Sequence, residues 1–252
     1  MADAAEVRLR TANEVLRACA GSQLSSSIAV GSSIESRPRS LLIPSPVASV
    51  LPEGGLPEGS VVELASPANL GRGLGIALAA CAASQRASVE RGADMAWCAF
   101  LDPDRTLFAP AIEAGGVSLD RLLVLRPPRS LLTKVAVRVA LSRIFSVIVI
   151  DVASVPGASA PAHRADPMAP WPKVARRLSL AVEKTPTTVL LLTRSESRAS
   201  APLPVAMRIE LERRDGDNLA VRIAKDKFGR VAGPRQIAWT RAPAAPARAV
   251  TS

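Results

Sequence analysis

The sequence predicts an α/β fold: a mainly parallel sheet flanked by helices, with antiparallel strands at one edge. Three observations carry this. Short, almost wholly apolar runs, "VVELA" at 61–65, "MAWCAFLD" at 95–102, "SVIVID" at 146–151 and "TTVLLLT" at 187–193, read as strands buried on both faces. Stretches of helical length lie between them, so strand and helix alternate. Last, "AMRIELERR" and "LAVRIAKDKFG" alternate with period two around "DGDN", a hairpin signal that puts antiparallel strands at one edge.

Taken in order, the chain divides into an N-terminal amphipathic helix within 1–24, a linker or arm over 25–50, a core over 51–240 and a low-complexity tail over 241–252. "DAAEVRLRTANEVLRACA" at 3–20 spaces Val7, Val15, Leu16 and Cys19 along one helical face. Residues 21–49 are rich in Ser, Pro and Gly, and "LPEGGLPEGS" is a pair of turns. After the strand at 61–65, "LGIALAACAASQRASV" predicts a helix of about four turns. "LFAPAIEAGG" predicts a short helix stopped by glycine, and "LDRLLVLRP" holds a strand near 121–125. Residues 130–144 are ambiguous: Val135, Val137, Val139 and Leu141 alternate like a strand, while length and position favour a helix. A Pro/Ala-rich loop over 153–172 precedes the helix "WPKVARRLSLAVEK".

Composition narrows the function. The formal charge is +10 and the sequence pI about 10.8, which points to an acidic partner, nucleic acid being the commonest. The competing reading is a charge spread evenly over an Arg- and Ala-rich surface. Cys19, Cys81 and Cys98 form neither a C-x-x-C pair nor an even set, which argues against a disulfide framework or a zinc site and for a reducing cytoplasm. No apolar run reaches membrane-spanning length, so no membrane association is expected. "MADAAEVRLR" has none of the apolar core of a signal peptide. The one histidine, His163, lies in "GASAPAHRADPMAPWP" and reads as a solvent-exposed loop residue. Metal sites built from several His or Cys ligands are excluded.

The strand-turn-helix "VVELASPANLGRGLGIALAA" has the layout of a phosphate-binding loop. A working P-loop spells Gly-x-x-x-x-Gly-Lys-Ser/Thr, with the lysine on the β- and γ-phosphates and the hydroxyl on magnesium. Here the frame reads Ser66-Pro67-Ala68-Asn69-Leu70-Gly71-Arg72-Gly73. Gly71 keeps the second glycine, Ser66 replaces the first, Arg72 replaces the lysine and Gly73 the hydroxyl residue. Arginine does not substitute conservatively for that lysine, and Gly73 has no side chain to hold a metal. Backbone N–H groups at the helix start could still attract an anion, but nucleotide hydrolysis is expected to be absent or very weak. Taken alone, this stretch reads first as an ordinary strand-to-helix turn. The carboxyl ends of parallel strands are where such sheets bind ligands. The turn at 66–73, the acids at 102–104 and Asp151 are all expected there.

Several segments in this order resemble the RecA recombinase family, over about residues 50–240. "GGLPEGSVVELASPANLGRGLGIALA" resembles the family's P-loop region, and "AFLDPDRTLFAPAIEAGGVSLDRLLVLRP" its segment bearing a catalytic glutamate. "SVIVIDVAS" is similar to the Walker B strand, "TTVLLLTRS" to the strand ending in a sensor glutamine, and "MRIELERR…NLAVRIAKDKFG" to the closing β-ribbon with two lysines. The resemblance implies a RecA-like core. It places Asp151 at the magnesium-coordinating acid and Lys225 and Lys227 at the lysine pair. It puts Asp104 where the glutamate would be and Arg194 at the sensor glutamine. The C-terminal domain and the polymerising segment of recombinases have no recognisable counterpart. This pattern of departures resembles the ImuA branch, the RecA-like proteins of bacterial mutagenesis cassettes.

That branch implies a non-catalytic accessory role in SOS-induced translesion DNA synthesis, with no bound cofactor. The implied partners are an ImuB-like inactive Y-family polymerase homologue, an error-prone replicative-type polymerase, RecA itself, and DNA, expected to be single-stranded. Two alternatives stay open: an ATP-dependent recombinase-like filament protein and a regulatory interaction module of the SulA type. The vestigial nucleotide site comprises Ser66, Gly71, Arg72, Gly73, Asp104 and Asp151. The loops after the Walker B and sensor strands, with the adjoining helix, nominate Arg164, Lys173, Arg176, Arg177, Arg194 and Arg198 as DNA contacts. "KVARR" reads equally well as a solvated helix face. Trp171 is the one loop residue suited to stacking on a base, whereas Trp97 and Trp239 lie in predicted strands and read as packing residues.

Overall fold

Apolar runs at 61–65, 147–150 and 189–192 are buried at every position, which a strand achieves only with both faces covered. In the computed structural model they form the centre of an eight-stranded sheet ordered β5-β4-β6-β7-β3-β8-β9-β10. Described are residues 39–67, 70, 72–152, 168, 170–195, 203–214 and 218–239. The strands are β3 (Ser60–Ser66), β4 (Trp97–Leu101), β5 (Leu122–Leu125), β6 (Phe145–Asp151), β7 (Thr188–Arg194), β8 (Met207–Arg213), β9 (Asn218–Asp226) and β10 (Ala232–Ala238). From β5 through β8 every pairing is parallel, and β8–β9 and β9–β10 are antiparallel, as the ribbon pattern requires. The N-terminal helix, the tail over 241–252 and most of the Pro/Ala loop lie outside the described residues.

Among the described residues four α-helices flank the sheet: α1 (Arg72–Glu90), α2 (Ala109–Ala114), α3 (Arg129–Leu141) and α4 (Trp171–Val182). α1 and α2 bury Ile76, Ala77, Cys81 and Ile112 against one face, together with Val62, Leu64 and Val149. α3 and α4 pack side by side on the other face, over Val61, Ile148 and Leu191. The ambiguous stretch 130–144 is helical as far as Leu141, and its helix covers this face of the sheet. Val135, Val137 and Val139 are all buried, since α3 faces both the sheet and α4. Gln85 fastens α1 to the chain before β5: its amide donates to the Ser118 carbonyl (3.1 Å) and accepts from the Ser118 N–H (2.8 Å).

The expected arm over 25–50 is corrected where it is described. β1 (Ser40–Leu42) pairs antiparallel with β2 (Gly55–Pro57), and a 3₁₀ turn at Pro46–Ser49 follows. Leu41, Ile43, Val47, Val50 and Leu51 are buried in the α1 face of the core. Apolar residues among the serines and prolines drive this. Gly55 permits the pairing, because a Cβ there would sit 2.6 Å from the Leu41 carbonyl oxygen.

Candidate functional site

The carboxyl ends of β3, β7, β6 and β4 lie side by side at one end of the sheet. Ser66 is the Cα partner of Arg194, Asp151 of Leu192, and Leu101 of Ile150. β3 and β4 leave this end toward helices on one face, while β6 leads to α4 on the other. Strands that exit to opposite faces open a crevice between them, the usual ligand position in such sheets. Ser66, Gly73, Asp151 and Arg194 are thus gathered at one end of the sheet, as is the loop after β4. Gly71, Arg164 and Arg198 lie outside the described residues, as does the side chain of Arg72.

The turn itself is tight. The Leu70 N–H donates to the Pro67 carbonyl (3.1 Å), and the Ser195 N–H donates to the Ser66 carbonyl (3.1 Å), tying the end of β7 to the end of β3. Gly73 is buried in the first turn of α1. A Cβ on it would lie 3.4 Å from Ser66 Oγ and 3.9 Å from Leu192 Cδ2. A side chain at the position of the P-loop hydroxyl would thus start in ordinary van der Waals contact with the end of β3. Trp239 covers the same helix start from another side, with its Cζ2 3.2 Å from where a Gly75 Cβ would be. It and Trp97, whose ring lies 5.3 Å from the Arg121 guanidinium carbon, are packing residues as expected.

The acids after β4 are engaged with the protein. Asp102 is fully buried and accepts from the Thr106 N–H (2.8 Å), the Thr106 hydroxyl (3.1 Å) and the Leu107 N–H (3.1 Å), with Arg126 Nε 3.6 Å away. It shapes the loop. Asp104 receives Arg129 from the first turn of α3, Nε to Oδ1 at 2.9 Å and the second guanidinium nitrogen to Oδ2. An acid clamped by an arginine fork is poorly placed to act as a base toward water. Cys81 and Cys98, the described cysteines, are both buried. Cys98 Sγ lies 3.8 Å from the Cys81 carbonyl, and the bond to Cys98, together with burial, pushes the Cys81 thiol well above its usual range.

The expected DNA contacts divide. Arg194 ends β7 at the crevice. Lys173, Arg176 and Arg177 are exposed on the side of α4 away from the sheet, running from its first turn down its length. Trp171 is corrected: it is 2% exposed, packed in the α3/α4 core, and cannot stack on a base. Of the lysine pair, Lys225 donates to the Leu203 carbonyl (3.1 Å) within its own chain, and Lys227 is exposed beyond the end of β9.

The sequence reading missed a polar chain across β7, β3, β8 and β9. Glu63 sits within an otherwise apolar strand with its side chain 3% exposed. It accepts from the Thr193 hydroxyl (2.8 Å) and from Arg208 Nη1 on both oxygens (3.1 Å each). Arg208 Nε continues to Glu210 (3.0 Å), and Glu210 to Arg222 (3.6 Å). The signal was available: a glutamate in "VVELA" needs a cationic partner, and "MRIELERR" is the neighbouring strand.

Among the described residues no group of His, Cys, Asp and Glu could hold a metal ion, and no helix is long and apolar enough to cross a membrane. No protein-family model matches the chain, and no curated protein matches its sequence.

Proposed function

We propose that this chain is a non-catalytic, RecA-like accessory protein of SOS-induced translesion DNA synthesis, of the ImuA type, acting in the cytoplasm. It associates with DNA and works beside an ImuB-like inactive Y-family polymerase homologue and an error-prone replicative-type polymerase. The supporting observation is the state of the crevice. The frame of a nucleotide site is kept, with a strand, a tight turn and a helix start beside the ends of three parallel strands. The groups that would act on a nucleotide are replaced or occupied: Gly73 has no hydroxyl to offer a metal, and Asp104 is held by Arg129. Arg194 at this end, with Arg164 and Arg198 in the adjoining loops of the sequence, supplies cations for a single strand without a nucleotide switch.

The purified protein assayed for ATP hydrolysis with and without single-stranded DNA tests this. The reading requires no DNA-stimulated turnover. A clear DNA-stimulated rate that disappears in Asp151→Ala would overturn it.

A further inference from the structure

We propose that the outward face of α3 and α4 is a second nucleic-acid surface, one that takes the phosphate backbone of a duplex. This deepens the DNA-binding part of the function proposed above and rests on it. The face carries Lys134 and Arg138 from α3 and Lys173, Arg176 and Arg177 from α4, all exposed. Neither helix contains an aspartate or a glutamate. Several other arginines sit on carboxylates: Arg126 on Asp102, Arg129 at the head of α3 on Asp104, Arg208 and Arg222 on Glu210, Arg230 on Asp226. The five outward cations make no ion pair among the described residues. Five uncompensated cations thus share one face, on two helices that carry no acid.

The geometry suits a charged rod. Both helices follow parallel strands and lead into parallel strands, so they run in the same direction, side by side. Lys134 and Arg138 are four residues apart, about 6 Å along the axis, and Lys173 leads Arg176 and Arg177 by about 4.5–6 Å. The helix axes of such a pair lie roughly 8–10 Å apart. Two short rows of cations at that separation meet a polyanion over several phosphates. The acid nearest in sequence is Glu183, after the end of α4, where Leu180 and Lys184 also lie exposed.

The same face argues against a single strand. Sequence-tolerant single-strand binding relies on aromatic platforms for unstacked bases. No aromatic side chain lies on the outward side of α3 or α4, and Trp171, at the head of α4, is turned into the core. A duplex keeps its bases stacked and offers phosphates alone, which is what cations without rings can recognise.

Fluorescence anisotropy of a labelled 20-base-pair duplex, titrated with the full-length protein over a range of salt, tests the surface. Five phosphate contacts predict a slope of log K against log salt of about −4.5, and Lys134→Gln/Arg138→Gln should make it shallower by about two. Lys134→Glu/Arg138→Glu and, separately, Arg176→Glu/Arg177→Glu should each weaken duplex binding by about tenfold or more. All four residues are exposed, and far-UV circular dichroism checks that each variant is folded. The proposal is overturned if the α3 pair leaves duplex affinity unchanged, or if a labelled single strand loses as much as the duplex. It is equally overturned if polyglutamate or phosphatidylserine vesicles bind as well, with the same sensitivity to the substitutions. Wild-type protein that binds the single strand but not the duplex would remove this surface and leave the crevice reading standing. Strand binding that needs ATP would remove the crevice reading instead.

Discussion

Replacing Arg208 by Met should be among the most damaging single changes to this fold. Glu63 lies in the central strand with both carboxylate oxygens on Arg208 Nη1 at 3.1 Å, and only the Thr193 hydroxyl remains as a donor once the guanidinium is gone. An ionised group left in a dry sheet without its partner costs about 3–5 kcal/mol. Against a total stability of about 5–15 kcal/mol, that is at least about a fifth of what holds the chain folded. With a urea dependence of about 3 kcal/mol per molar, the unfolding midpoint should fall by roughly 1–1.7 M at unchanged slope. The partner experiment removes both charges. Glu63→Leu/Arg208→Met should recover most of the loss, because burying apolar groups of similar volume in place of an ion pair is close to neutral. A single variant costing under about 1 kcal/mol, or a double variant as unstable as the single, would refute the reasoning.

Three further outcomes follow from individual contacts. Gly55→Ala should cost about 1–3 kcal/mol and loosen residues 39–43, because its Cβ would meet the Leu41 carbonyl at 2.6 Å; faster hydrogen exchange at β1 would register it. Burial acts to raise the Asp226 carboxyl, but bonds from Arg230 and the Phe228 backbone outweigh it and hold the group below its ordinary value of 3.8. The unfolded chain therefore takes up this proton first. The stabilisation is full above the ordinary value and lost as pH falls through the depressed one, so Asp226→Asn should flatten the acid limb of stability against pH. Asp104→Ala should leave nucleotide turnover at background and instead lower the melting temperature slightly, since it releases Arg129; a change in ATPase rate would contradict the structural role given to that pair.

The sheet was legible because buried parallel strands leave a blunt signature. Runs such as 147–150 and 189–192 have no solvent face, so every position is apolar, and the ribbon announces itself by the opposite pattern. Local rules did less well where tertiary context decides. Segment 39–57 reads as turns and linker, yet Leu41, Ile43, Val47 and Leu56 are buried. Its apolar residues follow neither period because the chain there is a two-strand ladder and 3₁₀ turns. β10 carries Gly233 and Pro234 and has an irregular register against β9, so its alternation is weak. At the site, substitutions at Arg72 and Gly73 could be read from spacing alone. That Asp104 is held by Arg129, that Trp171 faces inward, and that Lys134 and Arg138 join the α4 cations depend on which helices become neighbours. No local pattern encodes that.

The central claim is DNA association without a nucleotide switch. Anisotropy of labelled single-stranded DNA, titrated with the protein at two salt concentrations, with and without ATP and magnesium, tests it most directly. The account predicts binding that weakens with salt, at about −0.7 per phosphate contact on the log scale, and is indifferent to ATP. Binding that appears only with ATP and magnesium would contradict it. It would mean that Arg72 and Asp151 hold a nucleotide despite the missing lysine and hydroxyl.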